Sequence, residues 1–246
     1  MRAQQARTRP STPTGNPEAE ARLYRNIGWF FSVPGRSPFD MDLRTRFIDA
    51  EVARAIGLGV EQIVIIGAGY DGRALRFGGG STRWFEVDYP ATQSDKRRRL
   101  AALGIEVPQV QFVGLDLLQD DLGAALAAAG HDPELRSLFI CEGLLTYLTL
   151  GAIASLLDTL RQRAAPGSTL ALNVRVHLPA SLITQALRAP FDGLLTTIGE
   201  RKQSRFEPGD IEKLLTITHW QPVRRERSST NRAEQGYSQL MAAEPA

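Results

Sequence analysis

Cysteine is almost absent from this chain: Cys141 stands alone among 246 residues, which excludes an intrachain disulfide and a cysteine-based metal cluster and fits a reducing, cytoplasmic setting. Histidine is nearly as scarce, with His131, His177 and His219 making up the full set, and no metal is expected. A charge excess is missing too. The chain has 29 basic against 27 acidic residues, a net charge of +2, so it carries no strong pull toward nucleic acid or a membrane surface. No apolar run reaches the roughly 18 residues of a membrane span. The first residues, MRAQQARTRPSTPTGNPEAEAR, lack the apolar stretch of a secretion signal, and Glu18 and Glu20 spoil the acid-poor pattern of a transit peptide. Rich in Arg, Pro, Ser and Thr, this segment is expected to be a disordered tail over 1–18.

What remains, 19–246, has the length and the 43% apolar content of one α/β domain. LRTRFIDAEVARAI (43–56) sets Phe47, Ile48, Val52, Ala55 and Ile56 on one helical stripe. It leads into QIVII (62–66), a continuous β-branched run of the kind that forms a parallel strand buried on both faces. RWFEV (83–87), VQFVG (110–114), SLFIC (137–141) and STLALNV (168–174) are further strands, separated by helical segments around 91–103, 119–129 and 149–164. Thr149 caps the last of these helices and Pro166-Gly167 stops it. The basic run KRRR (96–99) reads as the solvated face of a helix.

Strand and helix alternation implies right-handed crossovers and a doubly wound sheet. A helical insertion is expected over about 178–204, placed to cover a site, then a short helix at 208–216. QPVRRERS and GYSQLMAA follow as an antiparallel hairpin. Seven strands closed by such a hairpin form the Rossmann-like sheet typical of class I methyltransferases.

Ligands of open α/β sheets bind beyond the carboxyl ends of the strands, near the switch in strand order. Here those ends read GAGYDGR, EVDYP, GLDLL and CEGLLTYL, and each supplies an acid: Asp71, then Glu86 or Asp88, then Asp116, then Glu142. Any single one is as readily a turn or cap residue; four in consecutive positions suit a ligand with hydroxyls, an amino group and a cationic centre. S-adenosylmethionine combines all three. Gly67, Gly69 and Gly72 together match the G-x-G-x-x-G spacing of a dinucleotide turn. With an acid about 20 residues later, this also fits an NAD(P)-dependent oxidoreductase, but no Tyr/Lys pair or other hydride-transfer constellation follows. A non-catalytic binding or scaffold module on the same fold is the third alternative, opposed by the presence of both Asp88 and Glu142.

RTRFID, GAGYDGR, EVDYP, LDL and EGLLTYL, in this order and at these separations, resemble the leucine carboxyl methyltransferase family, including its bacterial branch of S-adenosylmethionine-dependent O-methyltransferases and polyketide carboxyl O-methyltransferases. The resemblance covers roughly residues 22–246. It implies that Arg44 pairs with the cofactor carboxylate, a task suited to a guanidinium fork, and that Gly67 and Gly69 admit the cofactor close to the backbone. Asp88 would accept from the ribose hydroxyls, and Asp116 with the backbone of Leu117 would recognise the adenine edge. Glu142 would lie by the methionine amino group and sulfonium, and Tyr147 by the transferred methyl. Gly72, where the family often has Ser or Thr, looks incidental.

The reaction implied is an in-line displacement onto a small-molecule acceptor, in which positioning and a dry site supply most of the rate. A carboxylic acid, with a reference pKa of about 4, is already ionised at pH 7 and needs no base; a phenol or alcohol would need one. Of the histidines, only His177 is expected near a substrate. Trp29, Phe30 and Phe31 serve equally well as pocket walls or as core. The sequence leaves the oligomeric state open.

Overall fold

A computed structural model describes residues 9–27, 38–78, 80–178, 204–228 and 236–246, with 38–41 as backbone alone. The expected insertion therefore falls, apart from its two ends, outside the described residues, as do Trp29, Phe30 and Phe31. The helices are α1 (Pro17–Asn26), α2 (Pro38–Gly57), α3 (Arg73–Arg76), α4 (Pro90–Ala102), α5 (Leu122–Ala128), α6 (Leu150–Gln162) and α7 (Asp210–Ile217). The strands are β1 (Gln62–Ile66), β2 (Arg83–Asp88), β3 (Val110–Gly114), β4 (Ser137–Cys141), β5 (Thr169–His177), β6 (Trp220–Arg227) and β7 (Gly236–Pro245). They form one sheet of order β3-β2-β1-β4-β5-β7-β6, parallel except for β7, which pairs antiparallel with both β5 and β6. This is the seven-stranded sheet with a C-terminal hairpin that the sequence predicts. The strand order reverses between β1 and β4, the point at which a crevice opens above the strand ends.

Each face of the sheet has its own apolar layer. Val64, Phe85, Phe139 and Leu172 pack under the α6 stripe of Ile153, Leu156, Leu157 and Leu160. Ile63, Ile65, Trp84 and Ile140 meet Phe47, Ile48, Val52 and Ala55 of α2 on the other side. β1 and β4 are buried along their whole length, which explains why both read as uninterrupted apolar runs rather than alternating ones. Thr149 caps α6 as expected, its side chain accepting from Ala152 N–H at 3.2 Å.

Over residues 10–18 the N-terminal segment departs from its expected disorder. From Pro10 onward it is docked: Thr12 Oγ1 donates to Phe77 O at 3.1 Å, Asn16 N–H donates to Leu75 O at 2.8 Å, and Asn16 caps α1 through Ala19 N–H at 2.9 Å. Ala19, Leu23, Tyr24 and Ile27 form a third apolar cluster with Leu75 and Leu100. The helix begins at Pro17, so only its first two residues fall within the expected tail. The KRRR run is corrected as well. Lys96 is 2% exposed and ion-paired to the equally buried Glu86, with a second bond to Asp71 O at 2.6 Å, so one member of the run faces inward.

Behind the amino end of the sheet, His131 lies between Ser137 Oγ at 3.0 Å from Nε2 and Arg163, whose Nε donates to Nδ1 at 3.2 Å. Burial, then the charges of Arg163 and Arg83, lower its pKa to about 4. The neutral ring therefore contributes stability that is complete above the unfolded value near 6.5 and is lost as pH falls through about 4. Thermal unfolding of the wild type should weaken across this window by up to about 3 kcal/mol more than that of His131→Gln; parallel curves for the two proteins would refute it.

Candidate active site at the switch in strand order

Gly67 (φ +68°) and Gly69 (φ +49°) turn the chain sharply after β1, in a backbone region costly to other residues. A Cβ at Gly67 would come within 3.1 Å of Leu144 Cδ1, whereas one at Gly69 would meet nothing within 4 Å. The space over Gly69 is open. Its N–H points sideways and donates to Asp88 Oδ2 at 2.6 Å, while Tyr89 N–H donates to Oδ1 at 2.7 Å. Asp88 thus ties the glycine turn to the end of β2, and its partly exposed carboxylate keeps lone pairs for further donors.

On the other side of the switch, β4 ends in Glu142. Its Oε1 accepts from Arg44 Nε at 2.7 Å and its Oε2 pairs with Arg73 Nη1 at 2.7 Å. Burial works to raise the Glu142 pKa, but the charges of Arg73 and Arg44 outweigh it and hold the carboxyl at about 2. Gly143 (φ +71°) follows, its N–H held by Asn173 Oδ1 of β5 at 2.7 Å, with the Arg44 guanidinium packed over it. Tyr147 closes the short 3-10 turn Leu145–Tyr147 beyond. Ser204 returns beside that turn, its N–H donating to Thr146 O at 3.3 Å and its Oγ to Leu148 O.

Arg44, Gly67, Gly69, Asp88 and Glu142 are thereby grouped around the switch point. Asp116 and Leu117 follow β3, two strands out, where the Asp116 carboxylate accepts from Leu118 N–H at 3.0 Å and Gln119 Nε2 at 2.7 Å. A recess of about 770 Å³ on the outer side of α4 and β3 is lined by residues such as Gln93, Arg97 and Phe112. None of the five grouped residues borders it, and the site is defined by the strand ends.

Two of the expected acids are spoken for. Glu86 faces Lys96 within the interior, so the acid at the end of β2 is Asp88. Asp71 turns back onto Arg73, accepting from its backbone N–H at 2.7 Å and from Nη1. His177, at the last position of β5, lies four residues beyond Asn173, which is about 13 Å along an extended strand. That distance removes it from the level of Glu142.

Arg73, Asp49 and Glu20 were given no role from the sequence. Arg73 Nε donates to Asp49 Oδ1 at 2.8 Å; the same oxygen takes Arg76 Nη2 at 2.9 Å; Arg76 Nε donates to Glu20 Oε2 at 2.6 Å. The available signal was positional: Asp49 ends RTRFID and Arg73 ends GAGYDGR. Gly72 also has a function after all. A Cβ there would fall 2.4 Å from Glu20 Cγ, so the glycine makes room for a buried carboxylate. Gly72→Ala should cost about 1–3 kcal/mol through overpacking, read from denaturant midpoints; an unchanged midpoint would contradict this geometry.

Among the described residues no helix is long and apolar enough to cross a membrane. The leucine carboxyl methyltransferase family model matches residues 18–161. A provisionally named S-adenosyl-L-methionine-dependent methyltransferase of Mycolicibacterium smegmatis is 40% identical over 157 residues, 63% of this chain and 48% of that protein. A similarly named protein of Streptomyces coelicolor is 37% identical over 167 residues, 67% of this chain and 56% of its own length. The chain thus spans about half the length of the curated relatives it matches. Among solved structures, magnesium protoporphyrin IX methyltransferase of Synechocystis with bound SAH superposes with a TM-score of 0.56 at 17% identity, covering 92% of this chain and 93% of that one. A Burkholderia thailandensis 1,6-didemethyltoxoflavin N1-methyltransferase, also with S-adenosylhomocysteine, gives 0.55 at 17% identity, covering 97% and 94%. At such identity these two share the fold.

Proposed function

The chain belongs to the leucine carboxyl methyltransferase family, and we propose that it transfers the methyl group of S-adenosylmethionine to a carboxylate oxygen of a small molecule, giving a methyl ester. The observation that carries this reading is the Arg44–Glu142 pair at the switch point, opposite a glycine turn with open space above Gly69. An anion-binding fork, an acid that Arg73 and Arg44 hold well below the usual carboxylate range and an acceptor for a diol stand together, and this donor and acceptor set fits the cofactor.

In this assignment Arg44 holds the cofactor carboxylate and Glu142 the amino group and sulfonium. Gly67 and Gly69 admit it to the backbone, Asp88 accepts from the ribose hydroxyls, and Asp116 with the Leu117 backbone meets the adenine edge. Tyr147 stands by the methyl and the acceptor. The bound cofactor supplies an activated methyl on a cationic sulfur. The protein's part is to orient the two partners and exclude water from charges that cancel as the reaction proceeds. An ionised acid needs no proton removed at neutral pH, which accords with His177 lying far from Glu142 along β5. The relatives' provisional names as S-adenosyl-L-methionine-dependent methyltransferases support the cofactor assignment.

Incubation with methyl-labelled cofactor and a panel of small carboxylic acids should yield label released as methanol by mild alkali; label that resists alkali would mean an ether or N-methyl product and end the carboxylate reading. Glu142→Gln should weaken calorimetric affinity for S-adenosylmethionine about 10- to 100-fold, the range for a hydrogen bond to a charged group. NAD should show no saturable binding, and saturation by NAD in its place would transfer the site to the oxidoreductase class.

A further inference from the structure

We propose that Glu20 of α1 is a positioning residue for Glu142, acting through Arg76, Asp49 and Arg73. This rests on the assignment of Glu142 to the cofactor. Glu20 and Arg76 are fully buried, and Asp49 and Arg73 are 1% and 5% exposed. From Glu20 Oε2 every step to Glu142 Oε2 is a direct contact of 2.6–2.9 Å between opposite charges.

The shared atoms couple the links of the chain. Asp49 Oδ1 serves both Arg73 Nε and Arg76 Nη2, so a shift of Arg76 moves the oxygen on which Arg73 is held. Arg76 is fixed in turn by Glu20 and by Pro10 O, which accepts from Nη1 at 2.5 Å. Arg73 is a rigid planar fork; with Nε pinned on Asp49, its Nη1 has one direction in which to meet Asp71 and Glu142. Water has little access to substitute for a missing link in this interior, so displacement of one charge passes to the next.

Two observations argue that the chain does more than stabilise. Glu20 Oε1 and Asp49 Oδ2 are buried with no hydrogen-bond partner, a costly arrangement that a purely stabilising cluster would avoid. Gly72, in the same turn as Gly67 and Gly69, is kept free of a side chain where Glu20 lies. The turn that faces the cofactor space and the acid that begins the chain are in direct contact.

The test is calorimetric titration of the full chain with S-adenosylmethionine, with fitted stoichiometry giving the folded fraction. Glu20→Gln keeps the shape over Gly72 and removes the charge; its Kd should rise about 5- to 10-fold. Asp49→Asn, cutting the chain at its middle, should give a similar rise, and the double variant should be no worse than the weaker single, as for links in series. Glu51→Gln is the stability control, since Glu51 is a buried carboxylate of α2 whose partners, Arg54 and the β6 residue Arg224, lie outside the chain of contacts from Glu20 to Glu142; its affinity should stay at the wild-type value. Unchanged affinity in Glu20→Gln, or an equal loss in Glu51→Gln, would overturn the proposal. If Glu20→Gln does not fold, Gly72→Ala displaces the same carboxylate with all charges retained, and wild-type affinity there would be equally fatal. If wild-type protein does not bind the cofactor, or Glu142→Gln binds it normally, the assignment of Glu142 is wrong; a weakened Glu142→Gln beside an unaffected Glu20→Gln rejects this inference alone.

Discussion

Glu142 sits where the parallel sheet changes direction, with each carboxylate oxygen on a guanidinium nitrogen 2.7 Å away. Burial there pushes a carboxyl toward its protonated form, because it disfavours the charged one. Arg73 and Arg44 reverse the outcome, and the other buried charges follow from that reversal. Arg73 cannot be left unpaired in the interior either, so it requires Asp71 and Asp49; Asp49 then faces Arg76, and Arg76 requires Glu20. One ionised acid at the strand end thus commits the structure to a line of charges running back to its first helix.

Such a line is a poor investment if stability is the sole criterion. Buried ion pairs seldom outperform apolar packing of the same volume, and breaking one member strands the next. What the arrangement secures is geometry. The glycine turn is held from two sides, by Asp88 on the Gly69 N–H and by Glu20 against Gly72. Tyr70, within the same turn, donates its hydroxyl to Asp95 of α4, under Arg99. The apolar layers on either face of the sheet hold the strands, while the polar contacts hold the loops between them.

The sheet was legible because its central strands β1 and β4 are buried on both faces and therefore spelled as short apolar runs between turn residues. QIVII and SLFIC became β1 and β4 without a shift at either end. The hairpin was legible for a complementary reason, since its two strand-like segments lie close together at the chain end, and β6 starts at the buried Trp220 with exposed and half-buried positions alternating after it. α1 was not. Its helical spacing of Ala19, Leu23, Tyr24 and Ile27 is present but short, it begins inside the segment expected to be a tail, and its burial depends on Leu75 and Leu100, far along the chain. The charged interior was hidden for the same reason. Nothing local to Glu20 announces that its partner lies 56 residues on, or that Arg44 meets Glu142 across 98. Asp88 and Glu142 stood out because a strand end places its own acids; Asp71 and Glu86 look the same in sequence, and only the position of Arg73 and Lys96 separates them.

The same electrostatics bears on the proposed chemistry. A sulfonium and a carboxylate attract each other and lose their charges in the transfer, so an aqueous environment that solvates both opposes the reaction. A site built from fixed charges meets this difficulty differently from one built from mobile water. In the proposed assignment Glu142, held from behind by Arg73, would keep its place when a cation arrives, and Arg44 would exchange one carboxylate for another. The cofactor would replace one half of an existing ion pair rather than enter an empty field. On that view the buried line of charges behind Glu142 has a second consequence: it keeps the acid in place while its front partner changes, a condition that a single surface pair between Arg44 and Glu142 would not meet.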